Sequence, residues 1–243
     1  MIHVVTFKWK PHAGYRSVFG AETVNTTKRM VDRWYPDPHL VWCITDDPSG
    51  IDADVSILPL WDDYATIPSP HGGKNPSCYR RLKLYAPEMA SLIGERMVSL
   101  DLDAVITGDL RPLWNRPEDI VFWGDTHPRT YYNGSMTLMT AGCRPQVWQR
   151  FDPRESPHKA KAAGQWGSDQ GWISYCLGPK EAKWGKADGV YSYRNHISKD
   201  NGRLPDNARI VLFHGSTDPW SPRVSHLDWI KRHYYGVRAE VAA

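Results

Sequence analysis

The sequence predicts an α/β fold with parallel strands at its leading edge. Three observations carry that expectation. Apolar runs recur along the chain at strand length, stretches with helical spacing fall between them, and no repeat, low-complexity tail or linker divides the 243 residues.

The elements follow in order. Ile2 to Phe7 is an apolar run and reads as a buried strand. In "AETVNTTKRMVDRW", Ala21, Val24, Val31 and Trp34 recur at helical spacing. "HLVWCITDDPSG" is a second strand, ended by Asp46, Asp47 and a Pro-Ser-Gly turn. This β-α-β start predicts parallel strands. "DVSILPL" is a third strand, and "WDDYATIPSPHGGKNPS" is a long turn-rich loop. "CYRRLKLY" is helical and closed by Pro87. A strand is expected from Met97 to Leu102, then two more in "IVFWGD" and "SMTLMTAG". "RPQVWQRFD" and "SDQGWISYCLG" read as helices, "ARIVLFHG" as a late strand, and "HLDWIKRHYYG" as a final amphipathic helix. Such an alternation places ligands at the carboxyl ends of the strands, where Lys8, Asp46, Asp103 and His214 fall.

Composition narrows the function. With 41% hydrophobic and 23% charged residues the chain can build a core. A net charge of +3 is too small to argue for nucleic acid, and no basic run, zinc finger or helix-turn-helix pattern adds to it. Cys43, Cys78, Cys143 and Cys176 are widely spaced, which disfavours structural zinc and points to a reducing compartment. The N-terminal run stops at Lys8 without the pattern of a signal peptide, and no stretch approaches the roughly 20 apolar residues of a membrane span. A soluble cytoplasmic protein is expected.

The most informative stretch is "SLDLDAVITGDL". Asp101 and Asp103 lie two apart where an apolar run ends, so at a strand-to-loop corner both reach one point. Two hard oxygen donors suit Mn²⁺ or Mg²⁺ bound also by phosphate. The plain alternative is a strand end meeting water. A rival is the haloacid-dehalogenase phosphatase signature, which "LDLDAVIT" resembles, although that motif normally closes the first strand of its domain. Asp109 belongs to a Gly-Asp turn that starts a short helix.

"YRRLKLY", "MVSLDLDAVITGDLRPLW", "NGSMTLMTAG", "SDQGWIS" and "VLFHGSTDPW" occur in that order between Tyr79 and Trp220, within a likeness that runs from Val4 to Trp220. In that order they resemble the GT-A fold glycosyltransferases of family 8 and related bacterial and viral proteins. The resemblance implies a single domain over 1–243, a GT-A (Rossmann-like) mixed sheet flanked by helices. Its nucleotide-binding half would span 1–110, and its acceptor and sugar half, with the C-terminal helix, 111–243.

It further implies residue roles. Asp101, Asp103 and His214 would hold Mn²⁺ or Mg²⁺ against the diphosphate of a nucleotide sugar, a UDP-sugar by family default. Phe7, Lys8, Trp9, Tyr15, Arg81, Asp101, Leu102 and Ser135 would contact the donor. Asn133, Asp169 and Gln170 would serve catalysis beside the transferred sugar. Each has a plainer reading too: Asn133 opens an Asn-Gly turn, and Ser168 with Asp169 is good helix-start chemistry. Family 8 retains anomeric configuration, so transfer to an acceptor hydroxyl with retention is implied. An inverting enzyme would need a carboxylate base, for which Asp125 and Asp169 are available. The chain departs from the family at its end, where Asp218 stands in place of a lysine on the diphosphate and Arg223 is a possible substitute. That departure favours, as an alternative, a non-catalytic binder of nucleotide or glycan.

Overall fold

The first apolar run becomes an inner strand because it offers side chains to two cores at once. A computed structural model describes residues 1–10, 18–124 and 127–237. In it β1 (Ile2–Lys8) pairs in parallel with β2 (His39–Thr45) on one side and β4 (Arg96–Leu100) on the other. Val4 and Val5 are both fully buried, in different clusters, as the two-residue period of a strand requires. Helix α1 (Ala21–Trp34) joins β1 to β2 and buries Val24, Thr27 and Val31 along one stripe. The edge strand β3 (Ser56–Pro59) extends the parallel set.

"CYRRLKLY" winds as a 3-10 helix, Cys78–Tyr85, that buries Tyr79, Leu82, Leu84 and Tyr85. The one-turn helix α2 (Met89–Leu92) precedes β4. The strand expected from Met97 to Leu102 is two strands. β4 ends at Leu100, and β5 (Ala104–Ile106) belongs to a different sheet. Between them Asp101, Leu102 and Asp103 carry the chain from sheet to sheet. After α3 (Arg111–Trp114), β6 (Ile120–Trp123) and β7 (Asn133–Thr140) complete the inner part of the main sheet. β7 is antiparallel to both β4 and β6, which makes the sheet mixed.

The expected helix in "RPQVWQRFD" is one turn, α4 (Gln146–Gln149). Past its C-cap Arg150, Asp152 accepts the Arg154 and Glu155 N–H groups, at 2.7 and 3.0 Å, in the turn ahead of α5 (Ser156–Ala162). Helix α6 (Asp169–Leu177) leads to β8 (Ala182–Trp184), the far edge of the main sheet, whose order is β3-β2-β1-β4-β7-β6-β8. The small sheet, β5-β10-β9, adds β9 (Val190–Ser192) and β10 (Ile210–Leu212), and α7 (Asp228–His233) follows it. One core packs α1 and the small sheet against the main sheet; the other packs the 3-10 helix, α4 and α6 on its opposite face. Among the described residues no helix is long and apolar enough to cross a membrane.

Candidate active site

β1, β2, β3 and β4 run parallel, so their carboxyl ends share one edge, and the start of antiparallel β7 lies there too. The Asp101–Asp103 segment crosses between the sheets on this edge. Asp101 N–H donates to the Ser135 carbonyl at 2.9 Å, which fixes it to β7. The Asp103 carbonyl accepts the Phe213 N–H at 3.0 Å, which fixes it to the residue after β10. The two aspartates therefore flank the seam between the sheets.

Arg81 fills the main-sheet side of the seam. Its Nη1 lies 2.9 Å from Asp101 Oδ1, its Nε 3.6 Å from Asp169 Oδ2, and its Nη2 donates to the Gly134 carbonyl. The guanidinium also lies over the Phe7 ring, 6.0 Å from its centroid. Burial pulls the Arg81 pKa down, but Asp101 and Asp169 outweigh it and leave it raised. Asp169 opens α6 and is 7% exposed. Burial raises its pKa, and the Arg81 charge works against that rise. Ser168 Oγ donates to Asp169 Oδ1 at 3.1 Å. Asn133 and Ser135 are buried, and Asn133 Oδ1 accepts the Ser135 N–H at 2.8 Å, which shapes the start of β7. The Gln170 amide lies over Gly167, beside the Asp169 turn.

The small-sheet side presents His214, the second residue past β10. Its Nε2 is 2.7 Å from Ser192 Oγ, and its ring stands edge-on to Trp123 at 5.5 Å. Asp103 is 5% exposed. The chemistry of Asp101, Asp103 and His214 fits a divalent cation shared with phosphate, and the backbone brings all three to the seam. The side chains are turned to protein partners, Asp101 to Arg81 and His214 to Ser192. Among the described residues no three His, Cys, Asp or Glu side chains converge on one metal position. Loading a metal on this set requires those partners to be exchanged.

The end expected to take the nucleotide lies off β1 and β2. A cleft of about 210 Å³ is lined there by Trp9, Lys10, Asp46, Leu60, Ser77 and Arg80, among others. The Arg80 guanidinium sits over the Trp9 ring at 5.4 Å, and both Asp46 oxygens accept the Lys10 N–H, at 3.1 and 3.0 Å. Of the expected donor contacts, Trp9 lines this cleft. Phe7 packs edge-on to Trp61 at 5.6 Å, and Lys8 is buried with its Nζ donating to the Asp47 carbonyl. The Leu102 side chain is 2% exposed and belongs to the core, so only its backbone is available to a ligand. Tyr15 and Asp125 lie outside the described residues. Sequence reasoning missed Lys10, Ser192 and the Trp9–Arg80 pair. A cation–π contact across some seventy residues leaves no local pattern, and Ser192 ends a strand too short to show one.

No protein-family model and no curated protein matches the sequence. Solved structures do match. The galactosyltransferase LgtC, in complex with donor and acceptor sugar analogs, superposes with a TM-score of 0.64 at 13% identity, over 98% of this chain and 96% of that one. The glycosyltransferase GlyE of Streptococcus pneumoniae TIGR4 gives 0.57 at 12% identity, over 94% of this chain and 62% of that one. The bifunctional glycosyltransferase WbbM gives 0.55 at 13%, over 90% and 47%. The chain has the GT-A glycosyltransferase fold.

Proposed function

We propose that the protein is a glycosyltransferase that moves a sugar from a nucleotide diphosphate to an acceptor hydroxyl, with Mn²⁺ or Mg²⁺ as its metal. One observation carries this reading: a single half-buried arginine, Arg81, ties the Asp101 end of the D-x-D corner to Asp169 at the start of α6. In this reading Asp101 serves the metal–diphosphate and Asp169 faces the sugar, and the Arg81 bridge holds the two carboxylates at one site. The fold of sugar-transferring proteins, one of them bound to donor and acceptor sugar analogs, supports the same reading. So does the cleft off the carboxyl ends of β1 and β2, where one aromatic ring, Trp9, is available beside Lys10 and Arg80.

Asp101, Asp103 and His214 would hold the metal, whose Lewis acidity takes up the negative charge of the leaving diphosphate. The remaining chemistry belongs to the chain. Arg81 orients Asp101 and, through its charge, favours the carboxylate form of Asp169. Asp169, with the positive end of α6 behind it, faces the oxocarbenium character that develops on the sugar. Gln170, Asn133 and Ser135 supply hydrogen bonds to sugar hydroxyls. With retention, the leaving phosphate accepts the acceptor's proton and no further base is needed. The donor is taken as a UDP-sugar and the setting as the cytoplasm, which four free cysteines support.

A second reading, a non-catalytic nucleotide binder, is favoured by Asp218, a buried acid where the family resemblance asks for lysine. A thermal-shift panel of nucleotide sugars with and without Mn²⁺ tests donor binding. A metal-dependent rise in Tm with one sugar nucleotide is the expected result, and no shift with any of them defeats both readings. Product release then separates them, since the binder takes up the donor without releasing nucleoside diphosphate.

A further inference from the structure

The carboxyl end of the small sheet holds a cation that the reading above does not use. β9 and β10 are parallel and pair Ser192 with Leu212. Past them Tyr193 N–H donates to the Leu212 carbonyl at 3.1 Å, and the Tyr193 ring stacks on Phe213 at 4.6 Å and 7°. Arg194 and His214 are the next residues off the two strands. Arg194 is exposed, and its side chain runs across Gly215. A Cβ on Gly215 would stand 3.3 Å from Arg194 Cδ and 3.2 Å from its Nη1, and Gly215 adopts φ +99°. Among the described residues no Asp or Glu pairs with this guanidinium. Its backbone is anchored: Asn195 N–H donates to Ser192 Oγ at 2.9 Å, and Ser198 Oγ donates to the Arg194 carbonyl at 2.8 Å.

We infer that Arg194 binds the diphosphate of the sugar-nucleotide donor, in the role that Asp218 leaves vacant. The inference rests on the glycosyltransferase reading. A leaving diphosphate needs positive charge beyond that of one divalent metal, and a buried carboxylate at Asp218 adds charge of the wrong sign. Ser192 Oγ meets both His214 Nε2 and the Asn195 N–H, which ties the backbone around Arg194 to the imidazole implied as metal ligand, and the Arg194 side chain lies against Gly215, the residue after His214. A guanidinium presents a planar fork of donors that matches phosphate oxygens, and no acid has to be displaced from it first. Gly215 keeps the path of the side chain open, since any larger residue would push on Arg194. Arg223 lies past the turn in which Ser221 N–H donates to the Asp218 carbonyl, farther along the chain from this strand end.

Isothermal titration calorimetry with ADP, CDP, GDP, TDP and UDP, in the presence of Mn²⁺, tests the inference on four proteins: wild type, Arg194→Ala, Arg194→Lys and Arg223→Ala. Arg194→Ala should bind the preferred diphosphate about 10- to 100-fold more weakly, as loss of a charge-assisted contact predicts. Arg194→Lys should recover part of the loss and Arg223→Ala should match wild type, all with unchanged thermal unfolding. Equal affinity of wild type and Arg194→Ala would overturn the role of Arg194 and leave the donor reading standing. A wild-type protein that binds none of the five diphosphates would overturn the donor reading itself.

Discussion

Arg81→Met removes a charge from between two carboxylates while keeping most of the aliphatic stem. The Arg81 side chain is 14% exposed and that of Asp169 10%, so the variant leaves Asp169 as a buried charge without its ionic partner. Breaking a buried pair from one side costs about 3–5 kcal/mol. The Asp101 contact adds little to this, because its side chain is 30% exposed and water takes over. For a chain of this length each kcal/mol lowers Tm by about 2–4 °C, so a fall of roughly 6–20 °C is expected at pH 7. The sign with pH follows from Asp169. Its pKa is raised in the folded state by burial, against Arg81, so the folded protein binds the extra proton. Loss of Arg81 raises that pKa further, and stability then falls as pH rises through the window above the ordinary carboxylate value. The deficit of Arg81→Met should therefore be largest near pH 7 and shrink as the pH falls toward 4. The double variant Arg81→Met/Asp169→Asn should regain most of the loss, since no charge is left buried. Urea denaturation followed by circular dichroism across that range is the assay. A single variant within about 1 kcal/mol of wild type at pH 7, or a double variant no better than the single, would refute the reasoning.

Three further outcomes are expected. Asp169→Asn should keep nucleoside diphosphate affinity within twofold, by calorimetry, while lowering sugar transfer by at least about 100-fold, because it removes charge placed on the sugar side of the site rather than at the diphosphate. Gly171→Ala puts a Cβ 2.8 Å from the Trp166 carbonyl oxygen, in the segment that leads into Asp169. It should destabilise by about 1–3 kcal/mol and lower kcat, measured by denaturation and by turnover. His233 is 7% exposed against Trp34, and burial first, then Arg232 and Arg33, push its pKa down to about 4. A depressed histidine favours the neutral form in the fold, so stability is intact above about pH 6.5 and lost on the order of 3 kcal/mol as pH falls to 4. His233→Leu should flatten that limb of the urea midpoint against pH.

Much of the fold was legible in the sequence because long amphipathic or apolar segments declare themselves. "AETVNTTKRMVDRW" is helix α1 from end to end, and the run from Ile2 forms β1. The strands that were missed or merged share one physical cause, which is length. β5, β8 and β9 have three residues each, fewer than two periods of any pattern, and they are held by pairing with distant strands. That is why one strand was expected where Asp101–Asp103 in fact turns a corner between sheets. At the site, Asp101, Asp103 and His214 fall at the ends of apolar runs, while Asp169 enters through the resemblance and by itself reads as the start of a helix. What the chain order does not contain is orientation. That Arg81 rather than Arg80 meets Asp101, that Arg80 covers Trp9, and that Ser192 meets His214 are all set by tertiary packing.

The most direct measurement is nucleoside diphosphate release from a panel of sugar nucleotides, by wild type and by Asp103→Ala, each with Mn²⁺ and with chelator. A metal–diphosphate site at the corner between the sheets predicts that wild type releases diphosphate from one donor only when Mn²⁺ is present. Asp103→Ala should remain folded by circular dichroism and release none. Full activity in Asp103→Ala, or equal activity in chelator, would contradict it.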